Sequence, residues 1–292
     1  MLKSKEKLLI FSLLSPSLLI VLFIVAFPLG FSLYVSFTSY SLLTPGSMVF
    51  TGLDNYISLI HDSVFWGSLK NTVIFLTIAI NAEFFLGLGI SLLLSRELKG
   101  GRVLRTISMI PMMFAPVLVG FQFKWFFNDQ VGMVNNLFYT LHLIKKPILW
   151  LIDGDLAMFS ILVAEIWRGT SFMVIIFTAG LMSLPKDPFE AAEVDGASGF
   201  QKFRYITFPL LSPFIFIAMA IRSLDIATAF DIVQIMTGGG PAHRTELIWT
   251  YVYRLGIVDT KFGLGCAMSY VTVVISIAFA YYLFKQLLKV RG

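Results

Sequence analysis

The chain has 292 residues, 57% of them hydrophobic and 13% charged, with a formal net charge of +5. An average soluble domain carries roughly a quarter charged residues, so this composition excludes an ordinary soluble globule and points to an all-α integral membrane protein. A single cysteine, Cys266, excludes an internal disulfide, and three scattered histidines, His61, His142 and His243, lack metal-ligand spacing, so no metal site is expected.

In chain order, Lys3, Lys5 and Lys7 precede the first apolar run, 8–37. That run is twice the length of a signal-peptide core and has no small-residue cleavage site, so it is expected to stay attached as a span. A second span, 70–95, contains Glu83. Arg96, Lys99, Arg102 and Arg105 surround the short connection to the third, 103–127; Pro111 and Pro116 there, and Pro209 and Pro213 in the fifth, either bend the spans and turn carbonyls toward a cavity or are simple kinks. The fourth, 156–182, contains Glu165 and Arg168. The fifth, 206–235, contains Pro209, Pro213, Arg222, Asp225 and Asp231. TGGGP at 237–241 reads as a tight turn and not a phosphate loop, because no strand and helix flank it. The sixth span, 264–288, leads to Lys285, Lys289 and Arg291. These six spans make one transmembrane domain, 1–292.

Thirteen Lys and Arg residues fall on the side that holds the two termini and the 183–205 loop, whereas the opposite loops hold Lys145, Lys146, Arg244, Arg254 and Lys261. The positive-inside rule therefore places both termini and the 183–205 loop in the cytoplasm. Within that loop, DPFEAAEVDGASGFQKFRYITFP at 187–209 holds six charged residues in an otherwise oily chain. Pro185 and Pro188 end the fourth span, since proline lacks an amide donor and restricts its predecessor. A short helix is predicted next, with Asp187 as its cap, Glu190 complementing its N-terminus and Ala191 and Ala192 as good helix formers. Gly196 permits a reversal into a second short helix that presents Phe200 and Phe203 on one side. So polar an elbow does not belong in hydrocarbon, and it is too acidic to hold anionic lipid. A solvated turn would explain the charges but not the two-helix layout; a protein partner explains both.

The pattern Glu190-Ala191-Ala192, Gly196, Ile206 and Phe208-Pro209 resembles the signature of permease subunits of bacterial ABC importers that use a binding protein, with Phe208 where that family usually has Leu. The segments FTGLDNYISLIHDSVFWGSLKNTVIF, FKWFFNDQVGMVN, EVDGASGFQKFRYITFPLLSP and FDIVQIMTGGGPAHRTELIWTYVYRLG resemble its carbohydrate branch, MalF-like more than MalG-like. The resemblance implies the six-helix type I importer permease core (MetI-like) in a bacterial cytoplasmic membrane. It also implies a second, MalG-like permease, two ABC ATPase subunits, an extracellular binding protein and a sugar substrate. Loops 38–67 and 236–262 would face the binding protein. The 187–203 elbow would be the coupling helix, docking Glu190, Ala191 and Ala192 into an ATPase cleft, with Gly196 setting the turn and Phe200 and Phe203 fixing the elbow to its own helices. No G-x-x-x-x-G-K-[ST] occurs in the chain, so ATP and Mg belong on the partner subunits and this chain is not itself an enzyme.

Ionisable groups at membrane depth are costly and invite a functional reading. Glu165 and Arg168, and Arg222 and Asp225, are i,i+3 pairs that can neutralise each other on one helix face. A sugar path needs polar groups beside apolar and aromatic ones. The positions that the resemblance places along such a path are Met112, Arg168, Gly169, Phe172, Arg222, Asp225 and Ala229, with Gly169 as an open patch. The two arginines make an acidic sugar conceivable, although local pairing explains them equally well. The competing reading is an ion-coupled secondary transporter using Glu83, Glu165 or Asp225. No internal repeat supports it and it leaves the elbow unexplained. An intramembrane enzyme lacks any nucleophile and base or metal constellation, and a nucleic-acid role for the positive charge gives way to its use in orientation.

Overall fold

The structure, a computed structural model, describes residues 4–291 except 45, 47, 97 and 98. Lys3 and the side chains of Lys5, Lys7, Lys289 and Arg291, which contribute to the charge-based orientation, lie outside the described residues. The helices are α1 (Ser4–Ser36), α2 (Asp54–Ile60), α3 (Ser63–Leu94), α4 (Gly101–Met113), α5 (Pro116–Phe126), α6 (Met133–Thr140), α7 (Gly154–Met182), α8 (Asp187–Val194), α9 (Gly199–Lys202), α10 (Phe208–Ala227), α11 (Asp231–Met236), α12 (Ile248–Tyr253) and α13 (Phe262–Arg291). Five stretches are long and apolar enough to cross a membrane, and α4 and α5, bent by 94° at their junction, pass the same test only as a pair, which is either one broken span or a re-entrant loop. Among the described residues the isolated β pairing is the bridge Thr38–Phe50.

The chain divides into two compact units. The first comprises residues up to Asp62 and Val252–Val273. In it α1 is apolar, and its described side chains are exposed from Phe11 to Tyr34 with few exceptions. Below α1 the Asn55 amide donates to the carbonyls of Ser36 (2.9 Å) and Thr38 (2.8 Å), and the Ser36 and Tyr56 hydroxyls pair at 2.7 Å. Backbone bonds from Leu42 to Thr260 (2.9 Å) and from Gly263 to Tyr40 (2.9 Å) join the segment after α1 to the start of α13.

The second unit comprises Ser63–Tyr251 and the rest of α13. Its centre is α7, on which α3, α4 and α10 pack. Phe75, Met173, Phe177, Leu211, Ala218 and Ile226 are fully buried there, and Phe84 meets Phe177 edge to face at 6.0 Å. Lipid is as apolar as these side chains, so van der Waals fit and interhelical hydrogen bonds hold such helices together rather than water exclusion. The buried Ser91 hydroxyl, donating to the Val174 carbonyl at 3.1 Å, is one such bond between α3 and α7.

Two breaks shape this unit. The predicted third span, 103–127, is not one rod: Phe114 (ψ 134°) and Ala115 (ψ 138°) are extended, and at Ala115 the cause is Pro116, which lacks an amide and drives its predecessor out of the helical region. The predicted fifth span, 206–235, ends instead at Ala227. Thr228 to Phe230 leave the helix, and Asp231 opens the separate α11, which packs on α5. Pro209 lies in the first turn of α10, as expected, whereas Pro213 is carried within a continuous helix.

Candidate functional site

The exposed elbow 187–202 is built almost wholly by local backbone chemistry. Helix α8 starts with Asp187 inside it, so Lys186 and not Asp187 occupies the cap position, and no side chain caps the end. Pro188 in the first turn explains this, since its missing amide is one of those that needs no partner there. Asp187 and Glu190 still place their charges in the first turn, where they complement the helix dipole. The C-terminus closes with Gly196 at φ +74°: Ala197 donates to the Ala192 carbonyl (2.9 Å) and Gly196 to that of Glu193 (3.1 Å). These are the two bonds of a Schellman motif, and the left-handed residue that it requires is glycine.

Two residues later Ser198 caps α9 reciprocally. Its hydroxyl accepts from the Gln201 amide (3.3 Å), while the Ser198 amide donates to Gln201 Oε1 at 2.7 Å. This capping box, spelled S-x-x-Q in the sequence, was readable and was missed. Lys202 Nζ donates to Glu193 Oε1 at 2.7 Å, clasping α9 to α8 and holding the Glu193 carboxyl below its usual pKa. A π-helical turn over Phe203–Thr207 joins the elbow to α10. Phe203 packs on the core with its ring 6.2 Å from that of Phe208, whereas Phe200 is 75% exposed and does not fix the elbow to its own helices. Its ring instead adds an apolar group to a surface that also carries exposed Glu190, Ala191 and Val194.

The second cluster lies at mid-span between α3, α7 and α10. Arg222 donates Nε to Glu83 Oε2 (2.8 Å) and Nη2 to Glu83 Oε1 (2.7 Å), the bidentate fork that suits a carboxylate. Its Nη2 also reaches Glu165 Oε1 at 2.7 Å, and its Nη1 bonds Asp225. Arg168 adds bonds to Glu165 (3.0 Å) and Asp225 (3.2 Å). The Glu83, Glu165 and Arg222 side chains are almost wholly buried, Arg168 is 17% exposed and Asp225 is 49% exposed. The two i,i+3 pairs read from the sequence are present, yet the strongest contact is the interhelical Arg222–Glu83 fork, for which the sequence reading gave no partner.

Gly169 is not the open patch expected. A Cβ there would overlap the Glu83 carboxylate and the Arg222 guanidinium. It is glycine so that α7 can approach the ion cluster closely.

On the exposed side of the cluster lies a cavity of about 190 Å³ between α7, the end of α10 and the broken stretch after it. Among the seven path residues named from the sequence, Arg168, Asp225 and Ala229 line it. Arg222 and Gly169 stand behind it, bound to or packed on the same cluster. Phe172 is half-buried against the core and Met112 is 40% exposed on α4; neither lines the cavity. Thr228 and Asp231, which the sequence reading did not place on the path, do line it. Among the described residues no group of His, Cys, Asp and Glu has the arrangement of a metal site.

Residues 83–291 match the family model for "Binding-protein-dependent transport system inner membrane component". The chain is 34% identical, over 95% of its length and 93% of the relative's, to the trehalose/maltose transport system permease protein MalF of Thermococcus litoralis. It is 33% identical, over 93% and 87% respectively, to the sulfoquinovosyl glycerol transport system permease protein SmoG of Agrobacterium fabrum. Among solved structures, it superposes with a TM-score of 0.82 and 21% identity, over 99% of this chain and 98% of the other, on a bacterial ABC transporter involved in the import of the acidic polysaccharide alginate. At that identity the likeness shows a shared fold.

Proposed function

This chain belongs to the family of binding-protein-dependent transport system inner membrane components, and from that premise we propose that it passes a carbohydrate through the cytoplasmic membrane as one of two permeases in an ATP-driven importer. A second, related permease completes the path, an extracellular binding protein delivers the sugar, and two ATPase subunits bind the ATP and Mg that this chain does not. The sugar reading rests on the relatives named for trehalose and maltose and for sulfoquinovosyl glycerol transport, at 34% and 33% identity over most of both chains.

The observation that carries the coupling role is the elbow. Helices α8 and α9 are short and surrounded by water, and such helices are marginal unless their ends are closed. Here a Schellman turn, a capping box and the Glu193–Lys202 ion pair hold them in one shape. That shape presents Glu190, Ala191 and Phe200 outward, as an ATPase cleft would need, on the cytoplasmic side given by the charge bias of the loops. Rigid-body movement of the ATPases would then reach the membrane helices through α9 and the π-helical turn. The cavity at Arg168, Asp225 and Ala229 is this permease's share of the sugar path. Ion-coupled transport finds less support, because Glu83, Glu165 and Asp225 each already bind a guanidinium.

The test is tagged purification of the chain from its native membrane in mild detergent, with mass spectrometry of its companions, beside Glu190→Lys. A second six-span permease and a Walker-A ATPase are expected with the unmodified chain, and loss of the ATPase alone with the variant. Recovery of the chain alone, or with copies of itself, overturns the reading.

A further inference from the structure

The charged residues at mid-span raise the question of what sugar they admit, and the relatives leave it open, since one is named for trehalose and maltose, another for sulfoquinovosyl glycerol, a sulfonated sugar, and a structural neighbour for an acidic polysaccharide. The bonding pattern answers it. Every nitrogen of Arg222 is bound to a carboxylate, through Nε and Nη2 to Glu83, Nη2 to Glu165 and Nη1 to Asp225. Arg168 lines the cavity at 17% exposure: its Nη2 bonds Glu165 and Asp225, and its buried Nε has no hydrogen-bond partner among the described residues. The charged groups that line the cavity are Glu165, Arg168, Asp225 and Asp231, of which Asp225 is half-exposed and Asp231 partly exposed. Acids in and around the cluster, Glu83, Glu165, Asp225 and Asp231, outnumber the two guanidiniums two to one.

We infer that this face of the path is a charge filter: Asp225 and Asp231 admit uncharged, hydroxyl-rich sugars and exclude carboxylated, sulfonated or phosphorylated ones. The inference rests on the carbohydrate reading above. Sugar hydroxyls donate to a carboxylate through charge-assisted bonds, which are stronger than neutral ones. An anionic sugar brought to the same place meets a lining of net negative charge, Glu165, Asp225 and Asp231 against Arg168, whose Nη2 is already bound to two of those acids, and in surroundings of low dielectric that repulsion is poorly screened. Rejection by an unpaired or repelling group is an ordinary route to specificity. The arginines that suggest an acidic cargo in the sequence are, in the fold, the counter-ions that keep buried acids tolerable.

The filter is measurable without knowing the cargo. In the assembled importer, with Cys266 replaced by Ala, Ala229→Cys puts a thiol on the cavity wall. Its modification rates with a cationic and an anionic methanethiosulfonate reagent are each divided by the rate with a free thiol in solution. The cationic reagent is expected to be favoured by about tenfold, equivalent to about 1.4 kcal/mol. Asp225→Asn with Asp231→Asn, which keeps acceptors but removes charge, is expected to bring the ratio to about one. A ratio near one or below it in the parent, no modification by either reagent, or a ratio unmoved by the double substitution overturns the filter. The importer reading is judged separately, by the proteins that accompany the same complex on purification: a filter that fails in a complex containing a second permease and an ATPase leaves that reading standing.

Discussion

The elbow and the mid-span cluster are the two places where this oily chain concentrates charge, and they solve opposite problems. In the elbow, Asp187, Glu190, Glu193 and Lys202 sit in water, and the shape is held by backbone bonds at the helix ends. In the cluster, Glu83, Glu165 and Arg222 have no water to fall back on, and the shape is held by the charges themselves. The difference is one of solvent. A charge in water is free to serve recognition, whereas a charge in a packed membrane core is committed to its partner, because removing one member leaves the other unpaired. Substitutions should therefore cost stability in the cluster and function in the elbow.

The largest effect is expected from Arg222→Met, which strands Glu83 and leaves Glu165 and Asp225 to Arg168 alone. Loss of one partner of a buried pair costs about 3–5 kcal/mol. Thermal unfolding of the detergent-solubilised protein should show a large fall in midpoint, and Arg222→Lys should rescue little of it, since an ammonium lacks the fork. Full rescue by Lys would show that the bidentate geometry is unimportant. Next is Gly169→Ala, whose Cβ must displace the Glu83–Arg222 pair; overpacking of this kind costs about 1–3 kcal/mol. An unchanged midpoint would mean that α7 is free to move away from the cluster.

The elbow side of the comparison predicts a different readout. Gly196→Ala places a Cβ in a left-handed turn, at a local cost of about 1–2 kcal/mol. It should leave the unfolding midpoint of the membrane helices unmoved while weakening retention of the ATPase on purification. Ser198→Ala removes the capping box for about 1 kcal/mol and should act in the same direction more weakly. The smallest effect concerns pH. Glu193 has a depressed folded-state pKa, so its contribution to the elbow is present above the ordinary glutamate pKa of ~4.3 and fades as pH falls through the lower folded value. ATPase retention should weaken in that acidic window, and Glu193→Gln should remove this contribution while leaving any other pH dependence in place.

The sequence made the elbow more legible than the cluster for a physical reason. Cap and turn signals are local, so E-A-A, Gly196 and S-x-x-Q carry their structure with them, and the misassigned cap at Asp187 is an error of one position beside Pro188. Phe200 was misjudged because a local pattern says which residues share a face and not what covers it. The cluster depends on residues distant in the chain: Glu83 and Arg222 are 139 positions apart, and i,i+3 reasoning sees only one helix. The break after Ala227 was equally invisible, since IATAFDI at 226–232 contains neither Gly nor Pro. Gly169 was read as space because glycine marks both an open site and a crowded one, and only the neighbours distinguish them.

The fork between Glu83 and Arg222, with Glu165 beside it, also fixes the kinematics of the protein. Sliding or turning α3, α7 or α10 past the others would break the Glu83–Arg222 fork and oblige the remaining charges to pair again among Glu165, Arg168 and Asp225. The cluster thus ties these three helices together, and within Ser63–Tyr251 the interruptions at Phe114–Ala115 and Thr228–Phe230 are places where the chain can bend and leave those bonds intact.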